Sequence, residues 1–469
     1  MLWPNHVSTL WQRLAAKVRG RKRLLALELG LVVAVLVTTR LLSIFVWLLP
    51  DGDVKEYYDY ALGFWTTAPL FHQLPIEYPP LAILPFSLSL LPPFGDFHTI
   101  YAVWMGAAVI AGYIGFLRFA DRTRAMVYVA YLALGSAAVL LSRFDIVPAL
   151  VTLAALWATE RRRFGLAYAL IAAGILIKLY PGFLLPVVMI EHWRVLTARA
   201  IADGRDTAEG AASWWRGGPR QALRQLWQRP ATHGVVYGVG LCCGLVVLGF
   251  VCALVLSPDG ALTGFSYASK RPLQVESTPA SILWVGSVFG VPAWPDYSFV
   301  SLNYVGSLDG MLKQLSALAL VGGCLWVYWR QARGRLTAGQ AFLACLCAVL
   351  VTNKIFSPQY LIWVLPMVAY VEGLDVLWLA ICVLTTLDFP IIYQMRHPIW
   401  TVPYTPEFMP VLALRNGLLV WATFRVIVRG RRAVTRGPLP TDQTAAEEAL
   451  PASSPPTREG AEPALAGQA

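Results

Sequence analysis

Long apolar stretches separated by short polar segments run through most of the chain, from about residue 26 to residue 428. Stretches of this kind are typical of transmembrane helices, which need about 20 mostly apolar residues to cross a bilayer. The pattern predicts about twelve spans. In chain order they are 26–49, 97–119, 125–141, 146–159, 164–177, 179–190, 234–256, 310–329, 338–352, 359–371, 374–393 and 408–428.

Several of these segments are shorter than the ~20 residues that a bilayer requires. An alternative joins neighbours such as 164–177 and 179–190 into one long tilted helix, which would move the loop 191–233 to the opposite face. We favour separate spans because this loop is rich in arginine, and short arginine-rich loops stay in the cytoplasm.

Composition places the chain among polytopic membrane proteins, since 57% of its 469 residues are hydrophobic and only 14% are charged. The net charge of +11 would fit nucleic-acid binding, but the Lys and Arg residues lie in short clusters between apolar runs. That distribution is the cytoplasmic bias of basic residues in membrane proteins, so we expect no nucleic-acid partner. The seven cysteines lie inside apolar runs without metal-ligand spacing, so neither a disulfide nor a zinc site is expected.

The same charge rule sets the topology. Basic residues before the first span and after the last one place both termini in the cytoplasm, together with the loop 191–233. We therefore expect an all-α polytopic domain in the plasma membrane, with loops 50–96 and 257–309 outside. The expected flanks are a basic cytoplasmic N-terminus over 1–25, and a disordered cytoplasmic tail over 429–469 that is rich in Pro, Ala, Gly and Glu.

Unusual polar segments collect on the face predicted to lie outside. The first follows the first span and reads "DGDVKEYYDYA", with four carboxylates and three tyrosines close together. Lys178 and Lys354 stand at the outer ends of apolar runs, where the charge rule disfavours them. Cations placed against this bias require an anion nearby. The arrangement suits group transfer from a lipid-linked phosphate, in which cations hold the leaving phosphate and a carboxylate removes a proton from the attacking hydroxyl.

These segments also carry a resemblance. The series "GDVKEYYDYA", "IEYPPLAILPF", "RFDIVPALVTLAAL", "GILIKLYPGFLLPV", "RPLQVESTPASIL" and "NKIFSPQYLIWVLP" resembles, in the same order, the pattern of glycosyltransferase family 87 in the GT-C superfamily. The resemblance implies a GT-C-type fold over about 26–428 and a polyprenyl-phosphate donor such as polyprenyl-phosphate mannose. It also implies inverting transfer of the sugar to an extracytoplasmic acceptor, either a glycolipid or a glycan, with the active site facing outside.

In that family the catalytic base is an aspartate of the first extracytoplasmic loop. Asp53 fits the form "D-x-x-x-Y" with Tyr57 four residues on, and Asp51 ranks second. The tyrosines of this loop, Tyr57 among them, are expected to bind substrate by stacking on sugar rings and hydrogen-bonding to them. The remaining candidates are assigned to substrate by charge and polarity. Lys178, Arg271 and Lys354 are expected to bind the donor phosphate. Five further residues are expected to orient either the sugar hydroxyls or these cations. They are Arg143, Asp145, Gln274, Glu276 and Gln359.

Other interpretations stay open at this point. Asp53 with Glu56 or Asp145 could hold a divalent ion, although cations already placed for the phosphate make a metal less necessary, and we expect neither metal nor cofactor. The main alternative function is a transporter or flippase for an anionic lipid or solute, which would place charge at mid-span and gates on both faces. A third is an assembly partner in cell-envelope synthesis that has lost the chemistry.

Overall fold

The computed structural model describes residues 5–46, 52–204, 230–258, 260–393 and 399–430. Asp51, most of the arginine-rich loop and nearly all of the predicted tail lie outside the described residues. The described part is mostly helical. Its first eight α-helices are α1 Asn5–Leu41, α2 Gly52–Thr66, α3 Ile83–Ser87, α4 Phe97–Phe119, α5 Arg122–Gly135, α6 Ile146–Glu160, α7 Phe164–Ile177 and α8 Leu185–Ala202.

A second set of helices follows the arginine-rich loop. These are α9 Pro230–Leu256, α10 Thr263–Lys270, α11 Thr278–Val288, α12 Asp309–Ala332, α13 Ala338–Thr352, α14 Leu361–Val371, α15 Val376–Thr386 and α16 Phe408–Arg429. Short 3₁₀ or π turns lie at Leu42–Val46, Pro80–Ala82, Leu88–Leu90, Tyr180–Leu184, Pro358–Tyr360, Leu387–Ile392 and Ile399–Tyr404.

Helix positions agree closely with the apolar segments of the sequence, because each of the twelve predicted segments contains one of these helices or overlaps it. Within the described residues, five helices are long and apolar enough to cross a membrane, and the other apolar helices are shorter. The number of spans and the side on which each terminus lies stay predictions.

The segment 164–190 does not form one continuous helix. Helix α7 ends at Ile177, and Lys178 has extended backbone angles of φ −158° and ψ 133°. The chain then makes a 3₁₀ turn with Pro181 near its start before α8 begins at Leu185. Proline at the start of a helical turn lacks the amide hydrogen that a continuing helix needs. This break turns the Lys178 side chain out of the helix and toward the site described below.

One β-hairpin was not predicted from the sequence. Strands β1 Ala293–Ser298 and β2 Ser301–Gly306 pair antiparallel, with Ser298 opposite Ser301. The two residues between them, Phe299 and Val300, have positive φ of 55° and 50°, as both central positions of a type I′ turn require. The hairpin therefore places an aromatic and an apolar side chain at its tip.

Helices α13 and α14 form the centre of the core, and nearly every residue of each is buried. In contrast, only 11% of the apolar window of α9 and 17% of that of α12 are buried inside the protein. Helices that are apolar on all sides and little covered by protein are suited to contact lipid. The fold thus has a protein-packed centre and apolar helices at its periphery, with the site between them.

Candidate active site

A large cavity of about 910 Å³ lies among the ends of several helices and the loops that join them. Helix α2, the loop before α6, the break after α7, helix α10, the hairpin tip and the segment after α13 all contribute to its wall. The cavity brings together most residues that the sequence proposed for the site. Those on its wall are Asp53, Arg143, Lys178, Arg271, Gln274, Lys354 and Gln359.

Asp53 and Arg143 form an ion pair across the wall of this cavity. Asp53 lies in the first turn of α2, where the helix dipole favours a negative charge. Arg143 comes from the loop that precedes α6, and its Nη1 contacts Asp53 Oδ2. Asp53 keeps 30% of its side chain exposed and Arg143 keeps 19%. The guanidinium therefore fixes the carboxylate while leaving part of it open to the cavity.

A second ion pair lies deeper, between Lys178 and Asp145. Lys178 Nζ is 2.5 Å from Asp145 Oδ1, and the Asp145 side chain is only 1% exposed. The same oxygen accepts a hydrogen bond of 2.5 Å from Trp363 Nε1. Asp145 is absent from the cavity wall and lies behind Lys178. Its position is that of a counter-ion that orients Lys178 rather than that of a group touching substrate.

Aromatic rings enclose the Lys178 ammonium. It lies 4.7 Å from the centre of the Phe144 ring and 4.9 Å from that of Trp363. Trp363 in turn stacks on Tyr180, with ring centres 4.4 Å apart. Ring faces attract a cation, most strongly where water is excluded. The rings and Asp145 together explain how a lysine can be kept at this depth.

Tyr57 does not reach the cavity wall. It is 1% exposed and stacks on Phe86 with ring centres 4.2 Å apart and an interplanar angle of 6°. The spacing of Asp53 and Tyr57, four residues apart on α2, puts both on one side of the helix. Tyr57 thus anchors α2 into the aromatic core beneath the carboxylate, where it is not placed to stack on a sugar ring.

Glu276 also lies behind the main wall, held by a buried polar network. Its carboxylate accepts a hydrogen bond of 3.1 Å from Gln274 Nε2. Its backbone oxygen accepts bonds from Arg415 Nη2 at 2.5 Å and from Asn416 Nδ2 at 3.1 Å. Arg415 also pairs with Asp388 at 2.9 Å, and both side chains are fully buried. Arg415 and Asn416 lie within α16, and neither was predicted from the sequence to belong to the site.

Two of the three cations predicted for phosphate, Arg271 and Lys354, lie next to each other on the wall. Lys354 Nζ donates to the backbone oxygens of Ser269 and Arg271, each at 2.9 Å. Burial lowers the pKa of Lys354, and the nearby Lys313 ammonium lowers it further. Lys313 lines the cavity one turn into α12 and pairs with Asp309 at 3.0 Å. Sequence reasoning missed Lys313, whose only signal is a lysine near the start of an apolar helix.

Two further carboxylates, Glu56 and Glu77, also line the wall. Neither was predicted from the sequence to bind substrate. Burial raises the pKa of Glu56, and the charge of Glu77 raises it further, while a hydrogen bond from Tyr60 acts in the opposite direction. Tyr60 Oη donates to Glu56 Oε1 at 3.0 Å. The available signal was the helical spacing of Asp53 and Glu56, which directs both toward one face. Among the residues the structure describes, no three His, Cys, Asp or Glu side chains are grouped so as to hold a metal ion.

The remaining wall is apolar. Phe183, Phe250, Phe265 and Leu320 line it, the second from α9 and the last from α12. Among the five long apolar helices of the described residues, α9, α12 and α1 have the smallest share of buried residues. The cavity therefore combines acidic groups, cations and an apolar side formed in part by two apolar helices that the protein covers little.

This combination was compared with known proteins. The family model described as "Glycosyltransferase family 87" matches residues 77–203. The match confirms the resemblance to glycosyltransferase family 87. It includes Glu77, Arg143, Asp145 and Lys178, while Asp53 and the residues from Arg271 onward lie outside the matched segment. Comparisons with curated proteins and with solved structures give no match. The family and the apolar helices indicate a membrane glycosyltransferase.

Proposed function

We propose that the protein transfers a sugar, mannose, from a polyprenyl-phosphate donor to a hydroxyl of an extracytoplasmic glycolipid or glycan. The observation that carries the proposal is one cavity whose wall holds Asp53, a group of cations and an apolar side. Each of the three parts matches one part of the reaction: the attacking hydroxyl, the phosphate and the lipid tail. The match to glycosyltransferase family 87 supports the same reaction class.

The apolar side of the cavity suits the polyprenyl chain. Phe250 on α9 and Leu320 on α12 line it, and both helices are largely uncovered by protein. A chain of isoprene units gains free energy of about 25 cal/mol per Å² of apolar surface that it buries. A donor could therefore enter from the bilayer with its tail against these helices and its head group toward the polar wall.

The cation group suits the phosphate. Arg271, Lys313 and Lys354 line the same cavity, and Arg271 Nε has no hydrogen-bond partner among the described residues. Charge that develops on the leaving phosphate is stabilised by cations already fixed in place. Lys354 is fixed by two backbone oxygens, so little reorganisation is needed when the sugar–phosphate bond breaks.

Asp53 is the proposed general base. Its carboxylate would remove the proton of the acceptor hydroxyl as that oxygen attacks the anomeric carbon, while the bond to the phosphate oxygen breaks on the opposite face. A single displacement of this kind inverts the anomeric centre. The contact with Arg143 would orient the carboxylate toward the acceptor. Such a base contributes about 10²–10⁴-fold to rate.

The test is transfer from radiolabelled polyprenyl-phosphate mannose to a membrane glycolipid extract by purified protein in lipid. Wild type is compared with Asp53→Asn and with Asp59→Asn, an exposed carboxylate on the same helix that pairs with Lys55. We expect transfer by wild type and by Asp59→Asn, and loss by Asp53→Asn. Equal rates for all three would contradict the role of Asp53, and a product with retained configuration would contradict the single displacement. Transport of the labelled lipid without transfer would favour the flippase alternative.

A further inference from the structure

A smaller cavity of about 160 Å³ adjoins the main one and is here termed the side compartment. Arg143, Gln274 and Gln359 line both cavities, so the two share part of their wall. At roughly 30 Å³ for each water of the liquid, the side compartment has room for about five waters, or for one compact polar ring. Residues that line it without lining the main cavity include Glu276, Phe389 and Tyr393.

The polar wall of the side compartment is rigidly built. Gln274 is 8% exposed, and its Nε2 donates to Glu276 Oε2. This bond places the nitrogen end of the amide against Glu276 and leaves Oε1 as its acceptor end. The backbone of Glu276 is held in turn by the fully buried Arg415. The orientation of the Gln274 amide is therefore fixed from behind.

Two polar atoms of this wall make neither a hydrogen bond nor an ion pair with any described residue. Gln274 Oε1, an acceptor, and Arg143 Nε, a donor, are both buried and have no hydrogen-bond partner among the residues the structure describes. A buried polar group without a partner destabilises the fold, so native proteins keep such atoms mainly where a ligand or water completes them. One hydroxyl has the chemistry to complete both, since a hydroxyl can donate to the amide oxygen and accept from the guanidinium N–H.

We propose that the side compartment binds the sugar ring of the donor, with one ring hydroxyl held between Gln274 Oε1 and Arg143 Nε. The proposal rests on the proposed function and names the place of the transferred hexose within it. Phe389 and Tyr393 supply the aromatic surface against which a sugar ring packs. Gln274 and Arg143 would thereby select the configuration of the sugar at one carbon.

The donor's sugar is favoured over the acceptor's because of where the compartment joins the cation group. The backbone N–H of Gln274 donates to the backbone oxygen of Lys354 at 3.0 Å. Arg271 lies three residues before Gln274 and lines the main cavity. A ring whose hydroxyl contacts Gln274 would therefore carry its phosphate toward Lys354 and Arg271. Arg143 Nη1 contacts Asp53 Oδ2. The same guanidinium would therefore contact the ring hydroxyl through Nε and the proposed base through Nη1.

The test couples a deletion in the ligand to a deletion in the protein. Transfer to the glycolipid extract is measured with polyprenyl-phosphate mannose and with its 2-, 3-, 4- and 6-deoxy forms, for wild type and for Gln274→Met. We expect wild type to lose between about tenfold and about a hundredfold of kcat/KM with one deoxy donor. Gln274→Met should lose a similar factor with the parent donor and little more with that deoxy form. Such non-additivity is the signature of two groups in direct contact.

Gln331→Met is the matched control, because Gln331 is a buried glutamine far along the chain on α12 and donates to the backbone oxygen of Val187 at 3.0 Å. We expect this variant to keep the wild-type ranking of deoxy donors. Retained wild-type transfer with purely additive losses in Gln274→Met would overturn the side-compartment proposal while leaving the proposed function standing. No transfer by wild type from any of these donors would instead count against the proposed function.

Binding without acceptor separates the two possible sources of the ring. Retention of radiolabelled donor on detergent-purified protein should fall in Gln274→Met by about the same factor as kcat/KM. If donor retention stays at the wild-type level while transfer falls, the ring is the acceptor's and the proposal is wrong. If neither retention nor transfer changes, the compartment holds only water and the proposal is equally wrong.

Discussion

Lys178 Nζ lies 2.5 Å from Asp145 Oδ1, and the two side chains are only 12% and 1% exposed. Asp145 directly precedes α6 and Lys178 directly follows α7, so the two residues meet where α7 ends. A buried ion pair needs both partners, since removal of one leaves an uncompensated charge. The pair therefore links the stability of this region to the position of a cation on the cavity wall.

Removal of the lysine charge should destabilise the protein. Breaking a buried pair typically costs about 3–5 kcal/mol, so we expect Lys178→Met to lower the free energy of unfolding by about that amount. Urea unfolding in mixed micelles, followed by tryptophan fluorescence, measures the change. The control is Lys55→Met, which breaks an exposed pair with Asp59 and should cost less than about 1 kcal/mol. Wild-type stability of Lys178→Met combined with lost donor binding would show that Lys178 acts mainly on the phosphate.

Much of this arrangement could be predicted from the sequence, and the reason is physical. The apolar stretches fixed where helices form, because backbone groups in a bilayer must be hydrogen-bonded within the chain. The charge of Lys178 and Lys354 at the ends of such stretches signalled nearby anions. For Lys178 the expected anion is present as Asp145. For Lys354, the structure shows two backbone oxygens as the direct partners.

Side-chain partners were much less predictable. Arg143 and Asp53 are far apart in the sequence, and no periodicity links a helix start to a loop that precedes another helix. Tyr57 shows the limit of a motif: its spacing from Asp53 suggested a substrate contact, yet packing against Phe86 decides its place. The hairpin could not be predicted because its turn carries Phe299 and Val300 instead of the Asn-Gly pair typical of type I′ turns.

Lys354 should act on donor binding more than on turnover. A hydrogen bond to a charged group contributes about 1.5–3 kcal/mol, so Lys354→Met should raise the donor KM by about tenfold or more. The measurement is the dependence of initial transfer rate on polyprenyl-phosphate mannose. Lys270→Met is the control, because Lys270 is exposed at the end of α10 and does not line the cavity. An unchanged KM in Lys354→Met, or an equal rise in both variants, would argue against a phosphate site at Lys354.

Glu56 should make stability depend on pH. Burial, followed by the charge of Glu77, raises its pKa above the ordinary value of 4.5. The folded state then binds more protons than the unfolded state between the two pKa values, so the free energy of unfolding falls as pH rises through the window that begins near 4.5. Glu56→Gln removes this fall. We expect its melting temperature to decline less than that of wild type between acid and neutral pH.

The comparison for Glu56 uses Asp59→Asn, which removes an exposed carboxylate from the same helix. Its melting profile should stay closer to that of wild type than the profile of Glu56→Gln, because the charge of Asp59 is the smallest of the causes that raise the pKa of Glu56. Parallel profiles for Glu56→Gln and wild type would mean that the folded-state pKa of Glu56 is not raised.

The hairpin tip should be stabilised by glycine. Val300 has φ of 50° and is 88% exposed, and the left-handed region costs an L-residue with a side chain about 1–2 kcal/mol. Glycine avoids this cost but makes the unfolded chain more flexible, by about 0.4–1 kcal/mol. We therefore expect Val300→Gly to raise the free energy of unfolding by up to about 1 kcal/mol.

The contrasting change is Ile282→Gly, at an exposed position inside α11, which should lower stability because glycine is the poorer helix former by about 0.5–1 kcal/mol.

Transfer activity of Val300→Gly tests whether the hairpin tip has a role in the reaction. Phe299 and Val300 both line the cavity, and strained backbone retained at a cavity wall is often functional. If Val300→Gly is more stable and transfers less sugar, the tip contributes to substrate binding. If it is more stable at the wild-type rate, the valine serves neither the fold nor the reaction.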